Sequence, residues 1–260
     1  MRYYIADTFT DTMFKGNSAG VCFFDKWPDD ALMQNIAAEN NLSETAFLIK
    51  EPNGYALRWF TPETEVDLCG HATLASAFVI LNFEQNHSGP INFHTKSGIL
   101  SVEKKDDLFI MDFPALTCTQ TEVTELMQKA IGVPISKAYQ STRDLLLIIQ
   151  SQRQLEGLYP QIQFIKQIPD CLGVIVSAEG NEADFVSRFF APNAGINEDP
   201  VTGSSHSVLI PFWAQRLKKN IMVARQLSKR GGTLFCEHCG DRVKIGGKAV
   251  LYLQGEIAVP

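Results

Sequence analysis

Two segments of the chain, RWFTPETEVDLCGHATL at residues 58–74 and RFFAPNAGINEDPVTGSSHS at residues 188–207, are versions of one pattern. In each segment an aromatic strand ends at a proline, an acidic loop follows, and a turn of small residues opens an apolar helix. The copies lie about half the chain apart, which predicts two similar half-domains rather than a long array of repeats. Since the first turn of a helix has backbone N–H groups without intrahelical partners, each copy also predicts donors for an anion.

The composition predicts a soluble cytoplasmic protein. The 260 residues carry a formal net charge of −6, and lysine and arginine are scattered along the chain, so we expect no nucleic-acid partner. The longest apolar run, residues 75–81, is shorter than the roughly 20 residues that cross a bilayer, and no basic-then-apolar segment opens the chain. We therefore expect no membrane partner. Six cysteines in this setting predict reduced thiols rather than a disulfide framework.

The order of the predicted elements indicates an α+β fold, rich in strands and with one apolar helix in each half. The two helices are expected at residues 71–81 and 204–217. A polar stretch begins at Pro114, so we place an N-terminal lobe at residues 1–115 and a C-terminal lobe at residues 116–260. We also consider that the last strand pairs back onto the N-terminal lobe.

Glu44 is the first candidate for catalysis. On a strand predicted at residues 43–50 it shares a face with Leu48, because side chains alternate from one face of a strand to the other. A carboxylate on an apolar face should have a raised pKa, which suits a proton carrier near neutral pH. The alternative is that Glu44 lies at a solvated strand edge beside Asn40 and Asn41, and the spacing alone favours this simpler interpretation.

The second candidate is the turn Cys69-Gly70-His71 at the start of the first helix. Gly70 lets the backbone approach a ligand closely, and the positive end of the helix dipole disfavours a charged His71. The expected neutral ring can exchange a proton or donate a hydrogen bond. The alternative is a histidine that only caps the helix.

The third candidate repeats these features before the second helix. Asp199 precedes the turn, Gly203 permits close approach, and Ser204 lies at the helix start, where a serine is commonly a cap. Two sites with the same features favour a functional interpretation over chance. A loop near the N-terminus adds weaker evidence: Asn17 and Ser18 are predicted to contact a substrate, with an ordinary turn as the alternative.

Cys236 and Cys239 have the spacing of half a zinc knuckle or of a redox pair. A structural zinc site needs four ligands, and the other cysteines are isolated. A redox pair normally begins a helix, whereas these residues fall between two predicted strands. We therefore predict a turn with free thiols, and no metal site in the chain.

Several motifs together resemble the PhzF-like isomerases, named for the phenazine-biosynthesis isomerase. The resemblance runs in order along nearly the whole chain and includes residues 16–17, 41–47, 58–62, 65–73, 199–204 and 226–232. It implies the diaminopimelate-epimerase fold, with two similar lobes, each a curled mixed sheet around a central helix, and an active site between them. It also implies catalysis without a metal or organic cofactor, and often a homodimer.

The resemblance also implies roles for individual residues. Glu44 matches the glutamate that moves a proton between carbons of the phenazine enzyme's substrate. The side chains of His71, Asp199 and Ser204 match the other polar residues of that active site. Gly70 and Gly203 match the backbone cradle for the substrate carboxylate.

A related group of amino-acid epimerases uses two thiols on opposite faces of the substrate. Here Cys69 has Thr202 as its counterpart, and a threonine hydroxyl is too weakly acidic to replace a thiolate. We therefore predict a cofactor-independent isomerase that moves a proton on a small carboxylate or amino-acid-like substrate. The alternatives are an epimerase that uses Cys69 and a non-catalytic small-molecule binding protein.

Overall fold

The computed structural model describes residues 1–84 and 89–258. The chain forms two compact units, one of residues Met1–Asp112 with Gly246–Pro260 and one of residues Phe113–Ile245. No helix within the described residues combines the length and the apolar character needed to cross a bilayer.

The structure contains six α-helices and eighteen strands in the described residues. The strands are β1 Arg2–Thr8, β2 Asn17–Phe24, β3 Glu44–Glu51, β4 Gly54–Phe60, β5 Glu65–Val66, β6 Ile91–Thr95, β7 Gly98–Lys105, β8 Leu108–Pro114, β9 Cys118–Thr121, β10 Ile135–Ser141, β11 Asp144–Ile149, β12 Gly173–Glu179, β13 Phe185–Ala191, β14 Ile196–Asp199, β15 Ile221–Gln226, β16 Gly232–Cys239, β17 Arg242–Gly247 and β18 Ala249–Glu256. The helices are α1 Asp30–Asn40, α2 Gly70–Phe83, α3 Glu125–Ile131, α4 Gln152–Glu156, α5 Ile162–Ile165 and α6 His206–Leu217, with a 3₁₀ turn at Pro192–Ala194.

The strands of the two units pair in the same sequence of orientations. In the first unit β1 and β2 are antiparallel, β2 and β3 parallel, β3 and β4 antiparallel, and β4 runs parallel to β6. In the second unit β10 and β11 are antiparallel, β11 and β12 parallel, β12 and β13 antiparallel, and β13 runs parallel to β15. The duplication predicted from two short segments therefore extends to the strand topology of each half.

The C-terminal strand belongs to the first unit. β18 pairs antiparallel with β1, from Arg2 opposite Glu256 to Thr8 opposite Ala249. The backbone N–H of Ile257 continues this pairing by donating to the carbonyl of Met1. A division of the chain at residue 115 alone therefore does not describe the first unit, which takes its last strand from the far end of the chain.

Each unit has one apolar helix that is buried along most of its length. In α2 nine residues between His71 and Ile80 are buried, and the helix contacts β1, β2, β3 and β7 of its own unit. A helix that is apolar on all sides is expected in the centre of a core rather than on its surface. The α+β fold with a central helix in a mixed sheet is as predicted.

The second central helix, α6, continues across an internal proline. Pro211 has no N–H to donate to the carbonyl of Ser207, four residues earlier. That carbonyl instead accepts from the backbone N–H of Leu116 at 2.9 Å. A neighbouring segment thus replaces the missing bond, and the helix runs from His206 to Leu217 without interruption.

Candidate active site

The predicted residues of the first unit gather at one end of two parallel strands. β2 begins at Asn17 and β3 at Glu44, and the register places Ala19 opposite Glu44. Neighbouring parallel strands have their N-terminal ends on the same side of a sheet. Asn17 and Ser18 therefore lie at the same end of the sheet as Glu44, as their predicted shared role requires.

A glycine fixes the turn that leads into β2. Gly16 has φ +65°, and a Cβ at this position would lie 2.0 Å from the carbonyl oxygen of Thr8. Only glycine fits here, because both the backbone conformation and the space exclude a side chain. The turn delivers Asn17 to a buried position, where its carbonyl accepts from the hydroxyl of Thr8 at 2.9 Å.

Glu44 is buried, with 9% of its surface exposed. Its strand is flanked on both sides, by β2 and by β4, so Glu44 is not at a solvated sheet edge. The simpler interpretation that the spacing favoured is therefore wrong. The structure places the carboxylate in the interior beside the first turn of α2.

The imidazole of His71 lies between a carboxylate and a thiol. Its Nε2 is 3.2 Å from Oε2 of Glu44, and its Nδ1 is 3.5 Å from Sγ of Cys69. His71 and Cys69 are each 6% exposed. Three groups that can exchange protons are thus aligned in the order thiol, imidazole and carboxylate.

The ring of His71 is neutral at physiological pH. Burial lowers its pKa from 6.5 to about 3, because a buried imidazolium loses its hydration. The direction of this shift agrees with the predicted neutral ring, and its cause is burial. A neutral imidazole presents one N–H donor and one nitrogen acceptor.

The two central helices, like the short helix α5, lack a side-chain cap, whereas α1, α3 and α4 have one. Asp29, Thr124 and Ser151 each accept from a backbone N–H in the first turn of α1, α3 and α4, respectively. At α2 and α6 the N-cap residues, Cys69 and Ser205, make no such hydrogen bond. The N–H groups in the first turn of α2 are therefore suited to an anionic ligand, whereas those of His206, Ser207 and Val208 in α6 already donate to carbonyls three residues earlier. The roles predicted for Gly70 and Gly203 stay predictions.

In the second unit a glutamine holds the turn that follows Asp199. Gln226 donates from Nε2 to the carbonyl of Asp199 at 2.8 Å and accepts at Oε1 from the N–H of Thr202 at 2.9 Å. The hydroxyl of Thr202 donates to Oδ2 of Asp199. The carboxylate of Asp199 is thereby fixed in orientation and is 8% exposed.

Gln226 belongs to the 226–232 motif of the family resemblance, but no role was predicted for it, because it lies 24 residues from the turn that it holds. On β15 the exposed and buried positions alternate, and Gln226 occupies a buried one. A polar residue in the buried phase of an alternating strand is the pattern that could have identified it.

Ser204 lies within a tight turn rather than at a helix cap. The N–H groups of His206 and Ser207 donate to the carbonyls of Gly203 and Ser204, three residues earlier, and the α-helix begins only at His206. The N-cap is Ser205, whose hydroxyl donates to the carbonyl of Thr202. The alternative that Ser204 is a capping serine is therefore wrong.

The thiol, imidazole and carboxylate of Cys69, His71 and Glu44 also form a set that could hold a metal ion, since their ligand atoms lie within 4.8 Å of one another. The geometry fits this role poorly, because two different ring nitrogens face the other two side chains. One ion could bind all three only if the ring turned.

Cys236 and Cys239 lie on β16 and form no disulfide, and Gly240, with φ +76°, follows in the turn to β17. Cys236 is buried and Cys239 is exposed, so their side chains do not converge. Burial also raises the pKa of the Cys236 thiol, which opposes the thiolate that zinc binding requires.

The fold defines the class of protein. The chain superposes on a probable proline racemase from Agrobacterium radiobacter with a TM-score of 0.67, at 10% identity, over 100% of this chain and 93% of that one. At this identity the likeness concerns the fold alone. It agrees with the predicted epimerase-like architecture.

The family follows from closer relatives. The model of the phenazine biosynthesis-like protein family matches residues 6–255. An uncharacterized isomerase of Pseudomonas aeruginosa is 46% identical over 251 residues, 96% of each chain. A crystal structure of a PhzF family protein from Enterococcus faecalis gives a TM-score of 0.97 at 46% identity and 99% coverage of each chain. The chain belongs to the phenazine biosynthesis-like protein family, and the predicted class of isomerase is confirmed.

Proposed function

We propose that the protein catalyses a cofactor-independent isomerisation of a small carboxylate or amino-acid-like substrate, with Glu44 as the proton carrier. One observation carries the proposal: a buried carboxylate lies 3.2 Å from a neutral, buried histidine at an uncapped helix start. Glu44 is the base that accepts a proton from the substrate, and the start of α2 is the site that binds the carboxylate of the substrate.

The proposed step moves one proton and no other group. Glu44 takes the proton from a carbon next to an activating group, and the electron pair of the broken C–H bond moves into that group as enolate-like charge. The same carboxyl returns the proton to another carbon, which restores Glu44 to its ionised form. A general acid–base group placed in this way typically contributes a factor of about 100 to 10,000 in rate.

Backbone amides supply the electrostatic part of the proposed mechanism. The N–H groups at Gly70 and His71 in α2 are proposed to bind the substrate carboxylate, and those at Gly203 and Ser204, in the turn before α6, are proposed as similar donors. Fixed donors of this kind stabilise developing negative charge without reorganising during the reaction. Asp199, held by Gln226 and Thr202, is proposed to assist as a second acid–base group, and Asn17 and Ser18 to contact the substrate.

Epimerisation by two bases receives less support. The thiol of Cys69 faces the imidazole of His71, and its counterpart Thr202 directs its hydroxyl to Asp199. Neither side chain is activated as a base. A neutral imidazole does not stabilise the thiolate of Cys69 as an imidazolium would, and the hydroxyl of Thr202 is too weakly acidic. Proton transfer through Glu44 requires no such activation.

Solvent exchange tests the proposal. A panel of small carboxylic and amino acids is incubated with the enzyme in D₂O, and deuterium incorporation and product formation are followed by proton NMR and mass spectrometry. We expect at least one compound to exchange a C–H proton and to yield an isomer. Glu44→Gln should abolish both signals, and Glu39→Gln, which makes the same charge change at an exposed position on α1, should leave them intact.

Two results would contradict the proposal. Exchange that persists in Glu44→Gln assigns the base to another residue. A compound that binds both wild type and Glu44→Gln without any exchange or product indicates a binding protein instead of an isomerase.

A further inference from the structure

Cys69 occupies the N-cap of α2 without acting as a cap. Its backbone has the extended conformation of an N-cap residue, φ −145° and ψ 106°, yet its side chain makes no capping hydrogen bond to a backbone N–H group of the helix. Its Sγ instead lies 3.5 Å from Nδ1 of His71, within the reach of a sulfur hydrogen bond. The chemical consequence depends on the protonation of the ring.

A neutral imidazole carries its single proton on one nitrogen, and the partners of the two nitrogens decide which one. Nε2 of His71 is 3.2 Å from Oε2 of Glu44. Both atoms are fully buried, and the contact between them is electrostatic because its geometry is not that of a hydrogen bond. A proton on Nε2 faces an ionised carboxylate favourably. The opposite tautomer would turn the lone pair of Nε2 toward the carboxylate oxygen, which is repulsive.

The thiol of Cys69 stabilises the first of these tautomers. An S–H group is a weak donor, and its proton fits the lone pair that Nδ1 presents when Nε2 carries the hydrogen. Cys69, His71 and Glu44 then form a chain in which each proton points in the same direction. A side chain without a donor at residue 69 would weaken this preference and leave only the contribution of Glu44.

We propose that Cys69 is a positioning residue that selects the Nε2–H tautomer of His71, which in turn orients Glu44. In this arrangement the Nε2–H group of His71 faces Oε2, and Oε1 is the oxygen that exchanges the proton with the substrate. The catalytic consequence rests on the proposed function of Glu44, whereas the tautomer of His71 does not. The second unit lacks this device, since Thr202 directs its hydroxyl to Asp199.

The tautomer can be measured without a substrate. Full-length protein labelled with ¹⁵N-histidine gives long-range ¹H–¹⁵N correlations that distinguish the two tautomers, and the spectrum of His71→Gln assigns the signals among the five histidines. We expect the Nε2–H tautomer in wild type and in Cys69→Ser, whose hydroxyl keeps a donor. In Cys69→Ala we expect a mixture of tautomers.

The kinetic effect should follow the tautomer. Loss of one hydrogen bond in the chain should lower kcat about three- to tenfold in Cys69→Ala, with KM changed less than about twofold because no proposed substrate contact is removed. The serine variant should restore kcat to within about twofold of wild type. The control is Cys22→Ala, which deletes another buried thiol of the same unit and should leave the tautomer unchanged.

Two outcomes would overturn the proposal: an Nδ1–H tautomer in wild type, or a Cys69→Ala enzyme with the tautomer and kcat of wild type. The tautomer is read from the wild-type spectrum once the His71→Gln spectrum has assigned its signals, and the role of Cys69 is read from the alanine and serine variants. An Nε2–H tautomer together with solvent exchange that persists in Glu44→Gln would reject the proposed function and keep the assigned tautomer.

Discussion

The starts of the two central helices share a framework and differ in the side chains that we propose to exchange protons. In both turns a helical side chain donates a hydrogen bond to the backbone carbonyl four residues earlier. The hydroxyl of Thr73 donates to the carbonyl of Cys69, and Nδ1 of His206 donates to the carbonyl of Thr202. The residues that follow the glycine are His71 in one unit and Ser204 in the other. The side-chain hydrogen bonds that shape the turn are the same in both units, whereas the side chains proposed to carry protons differ.

The strand next to the turn shows the same division. The strand registers make Gly173 of β12 the counterpart of Glu44 of β3, since Thr45 pairs with Phe60 and Val174 with Phe190. A Cβ at Gly173 would lie 2.2 Å from the ring of Phe189. An aromatic ring fills the space in the second unit, so that unit has no room for a carboxylate at the equivalent position.

The comparison implies that one unit supplies the proton carrier, and replacing that carrier should have the largest effect. In Glu44→Gln the side chain keeps its size and loses its basicity, so we expect the rate of solvent exchange to fall by a factor of about 100 or more. Deuterium incorporation at saturating substrate measures the change. Activity within about twofold of the Glu39→Gln control would show that Glu44 is not the carrier.

The arginines at the start of each repeat provide a stability comparison. Arg58 forms a two-pronged ion pair with Glu65, and Arg188 forms the same pair with Glu198. Arg188 also donates to the carbonyls of Leu155 and Leu158, whereas the further partner of Arg58 is Asp30, an exposed carboxylate.

Arg188→Ala should therefore destabilise the protein more than Arg58→Ala. Removing a donor from the carbonyls of Leu155 and Leu158 and the partner of a partly buried carboxylate should cost about 2–4 kcal/mol, and the loss at Arg58 about 1–2 kcal/mol. Urea unfolding of both variants measures the difference in the free energy of unfolding. Equal costs, or a larger cost at Arg58, would show that the extra contacts of Arg188 contribute nothing.

The sequence predicted the parts of this comparison that depend on local signals. Proline after an aromatic strand, an acidic loop and a small-residue turn occur twice, and they located both central helices to within about two residues of their observed starts. Alternating side chains placed Glu44 on a strand but could not decide its exposure. That depends on β2 and β4, which flank it.

Local sequence signals could not predict the contacts between residues that are distant in the chain. The role of Gly173 depends on the ring of Phe189, which packs on it from the next strand. The alignment of Cys69 with His71 depends on a side-chain orientation that the order of residues does not specify. Motifs therefore identified the candidate residues, and the structure was needed to show which atoms face each other.

A methyl group at Gly173 tests whether the second unit is closed to a side chain. In Gly173→Ala the new Cβ must displace the ring of Phe189, and overpacking of this kind should cost about 1–3 kcal/mol. The control is Gly157→Ala, where the nearest atom lies 3.5 Å from the added Cβ. Urea unfolding in which both variants match wild type would show that the ring yields freely and that packing does not exclude a carboxylate.

The two buried histidines should give the smallest effect, a loss of stability in mild acid. Burial lowers the pKa of His71 to about 3 and that of His206 to about 4, from 6.5 in an unfolded chain. At a pH between the folded and unfolded pKa values, each histidine is protonated in the unfolded state and neutral in the folded state. The free energy of unfolding therefore falls as the pH falls below 6.5. Each ring should contribute about 1 kcal/mol of this loss between pH 7.5 and 5.5. Urea unfolding across that range should give a shallower pH dependence in His71→Gln and in His206→Gln than in wild type. If one variant keeps the wild-type pH dependence, that ring is charged inside the folded protein, and the two helix starts differ in protonation as well as in sequence.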